Sequence, residues 1–327
     1  MPALEVLEFP LLGLSAAHCS ALATQCPALR AANLQSICQT TVEFDPSAGL
    51  VGLDDDRAGR LAALPALDWL VAEPVNGLTA AGLRALLDRP SRRPWRALSL
   101  KFGWDGEALG EDVAGALGHA TGAFPGAFEM AVALPVAGAA ALRGLPTPVV
   151  ATLKSLTVII DEPAVWGALS GLPLTALSVS IRTVTALDGL ADAVFPRLTT
   201  LVLALSVAAK AAMIDFKAVA AAVPALADLT LADAFWASGF GADRIDEALA
   251  ALPRLTALAF TPVAPDWDGV ADGSHGRVGA ANARRESTSR TAVRAIIQGE
   301  AVDPWWVPAV EGAGGGKAEG GGAGEMG

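Results

Sequence analysis

FPRLTTLVL, residues 195–203, holds an apolar residue, a proline, a leucine two positions on, and then a short Leu-x-Leu alternation. The proline cannot continue a preceding helix and pushes the chain into an extended path. Beyond it, alternation at the strand period sends the leucines to one face and the residues between them to the other. The phrase recurs as CPAL at 26–29, LPALDWLV at 64–71, VPALADLTL at 223–231 and LPRLTALAF at 252–260. Looser copies are MPALEVLEF at 1–9, PWRALSLKF at 94–102, FPGAFEMAV at 124–132, LKSLTVII at 153–160 and PLTALSVSI at 173–181.

Taking the first leucine position of each copy as an anchor gives Leu4, Leu29, Leu67, Trp95, Ala127, Leu153, Leu174, Leu198, Leu226 and Leu255. The gaps range from 21 to 38 residues and centre near 28, enough for one strand and one helix per copy. Between anchors, residues 78–87, 111–117, 186–194, 215–223 and 243–252 space apolar residues three and four apart, which predicts helices with a buried stripe. Thr or Asp near several starts supplies a capping oxygen. No copy holds enough apolar surface to stand alone, so stability must come from neighbouring copies. The expected fold is α/β, a solenoid with a parallel sheet on the concave side and helices outside.

The chain resembles the leucine-rich-repeat family. Leu226-x-x-Leu229-x-Leu231, Leu198-x-x-Leu201-x-Leu203 and Leu4-x-x-Leu7-x-Phe9 match that family's strand motif, and the resemblance covers residues 1–262. It implies a horseshoe of irregular repeats of about 28 residues. The run from Leu14 through Cys26, Pro27 and Leu29, with Cys38 downstream, is similar to the cysteine-containing subclass found in F-box proteins. The asparagine that family members place after the strand is missing from most copies; Gly103, Asp161, Arg182 and Asp233 stand in that region. The turn hydrogen bonding must therefore differ, or the geometry is more irregular than in regular family members.

The chain has 327 residues, 53% of them hydrophobic, and a formal charge of −11. Its apolar runs at 130–142 and 198–209 are too short or too interrupted for a transmembrane span. Glu5 and Glu8 stand where a secretory signal would carry positive charge, which leads to a cytoplasmic expectation. The chain opens inside a repeat phrase, so the strand at residues 2–9 is expected either to form an uncapped edge or to follow a missing segment such as an F-box. Cys19, Cys26 and Cys38 lack paired metal spacing and read as free buried thiols.

After Phe260 the composition changes. Residues 263–327 read as a largely disordered extension, with a short helix expected over 290–298 and glycine dominating 311–327. Trp305 and Trp306 lie within it as a docking segment, for a partner or for the last repeat. Arg284-Arg285-Glu286-Ser287 has the form of a basophilic kinase site.

The sequence has three histidines, and no HExxH, CxxC, GxSxG or P-loop motif. No cofactor and no metal site is expected. Asp54, Asp55 and Asp56 read as a solvated loop between glycines. Arg84, Arg89, Arg92, Arg93, Arg96 and Lys101 make a locally basic stretch in an acidic chain, able to meet an acidic partner or to keep an apolar surface soluble. Nucleic acid and membrane are not expected partners, because the overall field repels nucleic acid.

In a repeat solenoid, function resides on the strands' open positions and the adjoining loops. Aromatic and charged residues at those positions concentrate in the N-terminal half, as Trp69, Glu73, Lys101 and Glu129. With Arg92, Arg93, Trp305 and Trp306 they form the expected protein-binding set. The primary reading is a non-enzymatic interaction module with a protein partner. The alternatives are the substrate-recognition part of an F-box-type ubiquitin-ligase receptor that meets a Skp1-like adaptor through a missing F-box, a purely structural solenoid, and an enzyme with an unrecognised site.

Overall fold

The computed structural model describes residues 4–9, 14–35, 52–75, 77–89, 94–102, 113–118, 120, 124–205, 214–233, 242–261 and 294–297. The proline-leucine phrases become strands β1 (Val6–Glu8), β2 (Ala31–Gln35), β3 (Trp69–Val75), β4 (Ala97–Phe102), β5 (Ala127–Ala133) and β6 (Ser155–Ile160). They continue as β7 (Ala176–Ile181), β8 (Thr200–Leu205), β9 (Asp228–Asp233) and β10 (Ala257–Thr261), and the tail adds β11 (Arg294–Ile297). All eleven form one sheet in sequence order, and every pairing is parallel. Strand-helix alternation with sequential parallel neighbours defines an α/β repeat solenoid.

Helices α1 (Ala16–Gln25), α2 (Asp55–Ala62), α3 (Ala80–Leu87), α4 (Val113–Gly118) and α5 (Val136–Gly144) occupy the N-terminal half. The C-terminal half holds α6 (Thr147–Val150), α7 (Ala164–Leu169), α8 (Thr185–Asp188), a 3-10 turn at Gly189–Asp192, α9 (Phe216–Ala222) and α10 (Ala242–Ala251). Each of the five expected helical segments contains a helix, although the segment at 186–194 divides into α8 and the 3-10 turn. Thr79 and Asp215 cap α3 and α9 through their side chains. Ser15 and His18 form a reciprocal capping box on α1, which gives that histidine a structural task.

One face of the sheet packs on the helices. Leu70, Leu98, Phe128, Leu156, Leu177, Leu201, Leu229 and Leu258 pair in a single row and are all buried. With Val165, Trp166 and Leu169 of α7 and their counterparts on other helices they form one continuous core. Burying a leucine side chain is worth roughly 2 kcal/mol, and each row leucine meets a leucine or phenylalanine of a neighbouring repeat. Edge-on aromatic pairs reinforce it: Phe124 with Phe128 at 5.4 Å and Trp166 with Phe195 at 6.4 Å. Cys19 and Cys26 are buried free thiols in this core, while Cys38 lies outside the described residues.

Neighbouring repeats are also tied by hydrogen bonds at the strand entrance. There the carbonyl of one repeat accepts two backbone N–H groups of the next: Lys154 O from Thr175 and Ala176, Thr175 O from Thr199 and Thr200, Ala227 O from Thr256 and Ala257. The hydroxyls of Thr175, Thr199 and Thr256 donate to the same carbonyls, each at 3.1 Å. These threonine rungs tie β7, β8 and β10 to their predecessors before the ladder begins.

Four expectations need correction. The pairing of Ala127 with Ala97 places Pro125, not Ala127, at the position of Trp95 and Leu67, and Ala127 itself sits on the open face. The tail segment expected to be helical instead supplies β11, whose Arg294–Ile297 pair with Ala257–Phe260; β-branched Ile296 and Ile297 suit the open edge that β10 offers. The aspartate triplet is not a solvated loop. Asp54 caps α2 by accepting from Arg57 N at 2.8 Å, and Asp56 pairs with Arg60 at 2.8 Å. Asp55 reaches across to the next helix: its Oδ1 accepts from Thr79 N at 2.8 Å and Gly82 N at 3.1 Å, and its Oδ2 from the Thr79 hydroxyl at 2.6 Å. The basic stretch, fourthly, is not one positive loop: Arg89 turns inward and is only 8% exposed, and Lys101 lies on β4. Its guanidinium donates to Leu67 O and stacks 4.0 Å from the centre of the Trp95 ring, where burial lowers its pKa to about 10.

Candidate binding surface on the open face of the sheet

The face opposite the helices has three rows, set by the strand register. The first runs Val6, Ala31, Trp69, Ala97, Ala127, Ser155, Ala176, Thr200. Alanines on both sides of Trp69 leave room for its half-buried indole. The middle row runs Glu8, Asn33, Val71, Ser99, Glu129, Thr157, Ser178, Val202, Thr230. Glu73 follows Val71 on β3, and Lys101 follows Ser99 on β4.

Pro74 lies within β3 and has no N–H to give, and the register of β3 with β4 shifts between Ala72 and Val75. Beside that shift, the charged residues of three strands come together. Lys101 Nζ stands 3.5 Å from Glu73 Oε2. The Ser99 hydroxyl donates to Glu129 Oε2 at 2.6 Å. Burial pushes the Glu129 carboxyl up from its usual value, and the Ser99 hydrogen bond and the Lys101 charge oppose this without cancelling it; Glu73 adds to the rise. Ser99 is 3% exposed and Val71 is fully buried, although both lie on the open side. This part of the face is closely covered.

Beside Glu129 the surface dips. Ala97, Ser99, Ala127, Ser155 and Thr157 surround a shallow depression of about 20 Å³, room for about one water-sized group. Small side chains on three successive strands make it. Asn33, in the same row, has its Oδ1 buried with no hydrogen-bond partner. Toward the C-terminus the face carries Ala176, Ser178, Ser180, Thr200, Val202 and Ala204, small and uncharged.

Of the expected set, the structure brings Trp69, Glu73, Lys101 and Glu129 onto neighbouring strands of this face. Arg92, Arg93, Trp305 and Trp306 lie outside the described residues. Sequence reasoning did not single out Ser99 and Asn33. Ser99 occupies an open strand position, but its bond to Glu129 follows from register, and Asn33 falls in AANLQ, which has no leucine alternation to mark it as a strand.

Among the described residues, no group of three or more His, Cys, Asp or Glu side chains is placed to hold a metal ion. No described helix is long and apolar enough to cross a membrane. No family model matches the chain, and no curated protein matches it. Among solved structures, the chain is similar to one in the crystal structure of the Rad7 and Elc1 complex in yeast, at 15% identity and a TM-score of 0.43. The match covers 79% of this chain and 70% of that one.

Proposed function

We propose that the protein is a leucine-rich-repeat-like horseshoe that acts as a non-enzymatic interaction module and binds a protein partner through the open face of β3–β5. The register carries this reading. It sets an aromatic side chain, an ion pair and a half-buried carboxylate on adjacent strands, whereas β7 and β8 present small uncharged groups. Large aromatic and charged groups dominate interface energetics, and a rigid sheet holds them without the entropy loss that ordering a loop entails. The core leucines do not depend on these residues, so the surface can vary while the scaffold stands.

The test is capture of partners from a lysate of the source cell with the intact chain and with Trp69→Ala and Lys101→Glu variants matched by circular dichroism. A protein held by the intact chain and released by either variant supports the reading. Retention by both variants, or capture of nothing, refutes it.

A further inference from the structure

The turns that lead into the strands carry a charge pattern that the scaffold leaves largely unused. In the three residues before each of β2, β4, β6, β8 and β10 stands one cation: Arg30, Arg96, Lys154, Arg197 and Arg254. The same turns before β5, β7 and β9 hold no charge, and acids occur only before β1 and β3, as Glu5 and Asp68. All five cations are exposed. Arg30 stands 3.7 Å from Asp68, and the Lys154 ammonium donates to Ala151 O at 2.9 Å. Among the described residues, the guanidinium groups of Arg96, Arg197 and Arg254 make no hydrogen bond and no ion pair. From β4 to β10 the strand entrances therefore form a rim of one sign, with three of its four cations not engaged by the fold.

We propose that this rim docks an extended acidic segment of a protein partner, with carboxylates recurring at every third residue. It adds a second contact surface to the interaction module, separate from the open face of β3–β5. The spacing selects the ligand. Backbone bonds from Ala127 N to Arg96 O and from Lys154 N to Gly126 O join successive entrances, so Arg96 and Lys154 are two strand steps apart, about 10 Å. Thr199, Ala227 and Thr256 are joined in the same way, so Arg197 and Arg254, each two residues before its threonine, are also about 10 Å apart. A polyproline II segment turns once in three residues at about 3.1 Å each, which brings every third side chain to one side at about 9 Å. A β-strand returns a side chain to the same side at about 7 Å and misses that interval. Arginine forks also suit carboxylates, which they grip through two parallel hydrogen bonds.

Nucleic acid fits the rim less well. The rings beside the entrances, Trp95, Phe124 and Phe195, are 2%, 1% and 1% exposed, so bases find no ring to stack on. The net charge of −11 repels any polyanion at a distance, but at physiological salt charges are screened beyond about 8 Å, and at contact the rim decides.

The probe is a set of fluorescein-labelled, capped dodecapeptides read by anisotropy against the full chain: four Glu-Pro-Pro units, four Gln-Pro-Pro units, and an isomer of the first with its glutamates adjacent. The variants are Arg96→Glu and Arg197→Glu, with Lys217→Glu as a control that makes the same charge change at an exposed site on α9. All are matched by circular dichroism, and the rim arginines hold no bond whose loss would unfold the chain. The spaced acidic peptide should bind about tenfold more tightly than the glutamine peptide and about threefold more tightly than its clustered isomer. Each rim variant should weaken it about fivefold, and Lys217→Glu less than about twofold. No binding, equal binding of the glutamate and glutamine peptides or of the two isomers, an equal loss with Lys217→Glu, or tighter binding of a labelled oligothymidine overturns the proposal. None of these results bears on the open-face reading, because the peptides score the rim and the lysate capture scores Trp69 and Lys101.

Discussion

Gly82→Ala should destabilise this protein, although alanine normally favours a helix over glycine by about 1 kcal/mol. Gly82 lies in the first turn of α3, and a β-carbon there would stand 2.3 Å from Asp55 Oδ1 and 2.5 Å from Leu78 Cδ1. Asp55 would have to withdraw, breaking the three hydrogen bonds by which it caps α3 from α2. Bonds to a charged group contribute about 1.5–3 kcal/mol each when well shielded, and Thr79 is exposed. We therefore take a combined loss of about 2–3 kcal/mol, leaving a net destabilisation of about 1–2 kcal/mol after the helix gain. The assay is urea unfolding followed by far-ultraviolet circular dichroism, in a double-mutant cycle with Asp55→Ala. Once the carboxylate is gone, Gly82→Ala should become neutral or stabilising, a coupling of at least about 1 kcal/mol. Gly59→Ala and Gly167→Ala serve as controls, because no atom lies within 4 Å of either added carbon. These should gain stability by up to about 1 kcal/mol. Destabilisation by Gly82→Ala that simply adds to that of Asp55→Ala, or none at all, would refute the argument.

Gly189→Ala should be more damaging, since its β-carbon would meet the backbone carbonyl of Pro163 and no side chain can rotate away; a loss of about 3 kcal/mol or more in the same assay, or failure to accumulate folded protein, is expected. Thr199→Val keeps the side-chain shape and deletes one rung hydroxyl, so the midpoint should fall by the equivalent of about 0.5–1 kcal/mol. Glu129 has a folded-state pKa above its unfolded value, so the native state holds its proton longer and stability declines as pH rises from the unfolded value through the raised one. Glu129→Gln should flatten that decline and unfold at higher urea than the parent at neutral pH; an unchanged pH profile would count against the buried carboxylate.

How much of this was written in the chain differs from one element to the next. FPRLTTLVL, VPALADLTL and LPRLTALAF specified strands locally, because proline ends the helix before them and alternation at period two separates core from surface. Their recurrence specified stacking, since no copy buries its leucines alone. The open-face positions Trp69, Glu73, Lys101 and Glu129 followed from the same alternation. AANLQ at 31–35 lacked the pattern and became β2 because β1 and β3 supply pairing partners on both sides. Arg294–Ile297 likewise became a strand through the edge of β10, and a local helical period lost to backbone pairing with residues far back in the chain, Ala257 for Arg294 and Phe260 for Ile297. Asp55 illustrates the same limit: its composition suggests a solvated loop, and its task of capping a helix that begins 25 residues later exists only once α2 and α3 lie side by side.

The sequence alone therefore determined the repeat, the buried row and the side chains offered to solvent, because these depend on period and on polarity along one strand. Tertiary structure decided which of those side chains meet. The Ser99–Glu129 bond, the Lys101–Glu73 pair, the depression between β4 and β6 and the unsatisfied Asn33 all depend on the register between strands. That register is fixed by contacts across about 28–38 residues of intervening chain, where no local pattern reaches.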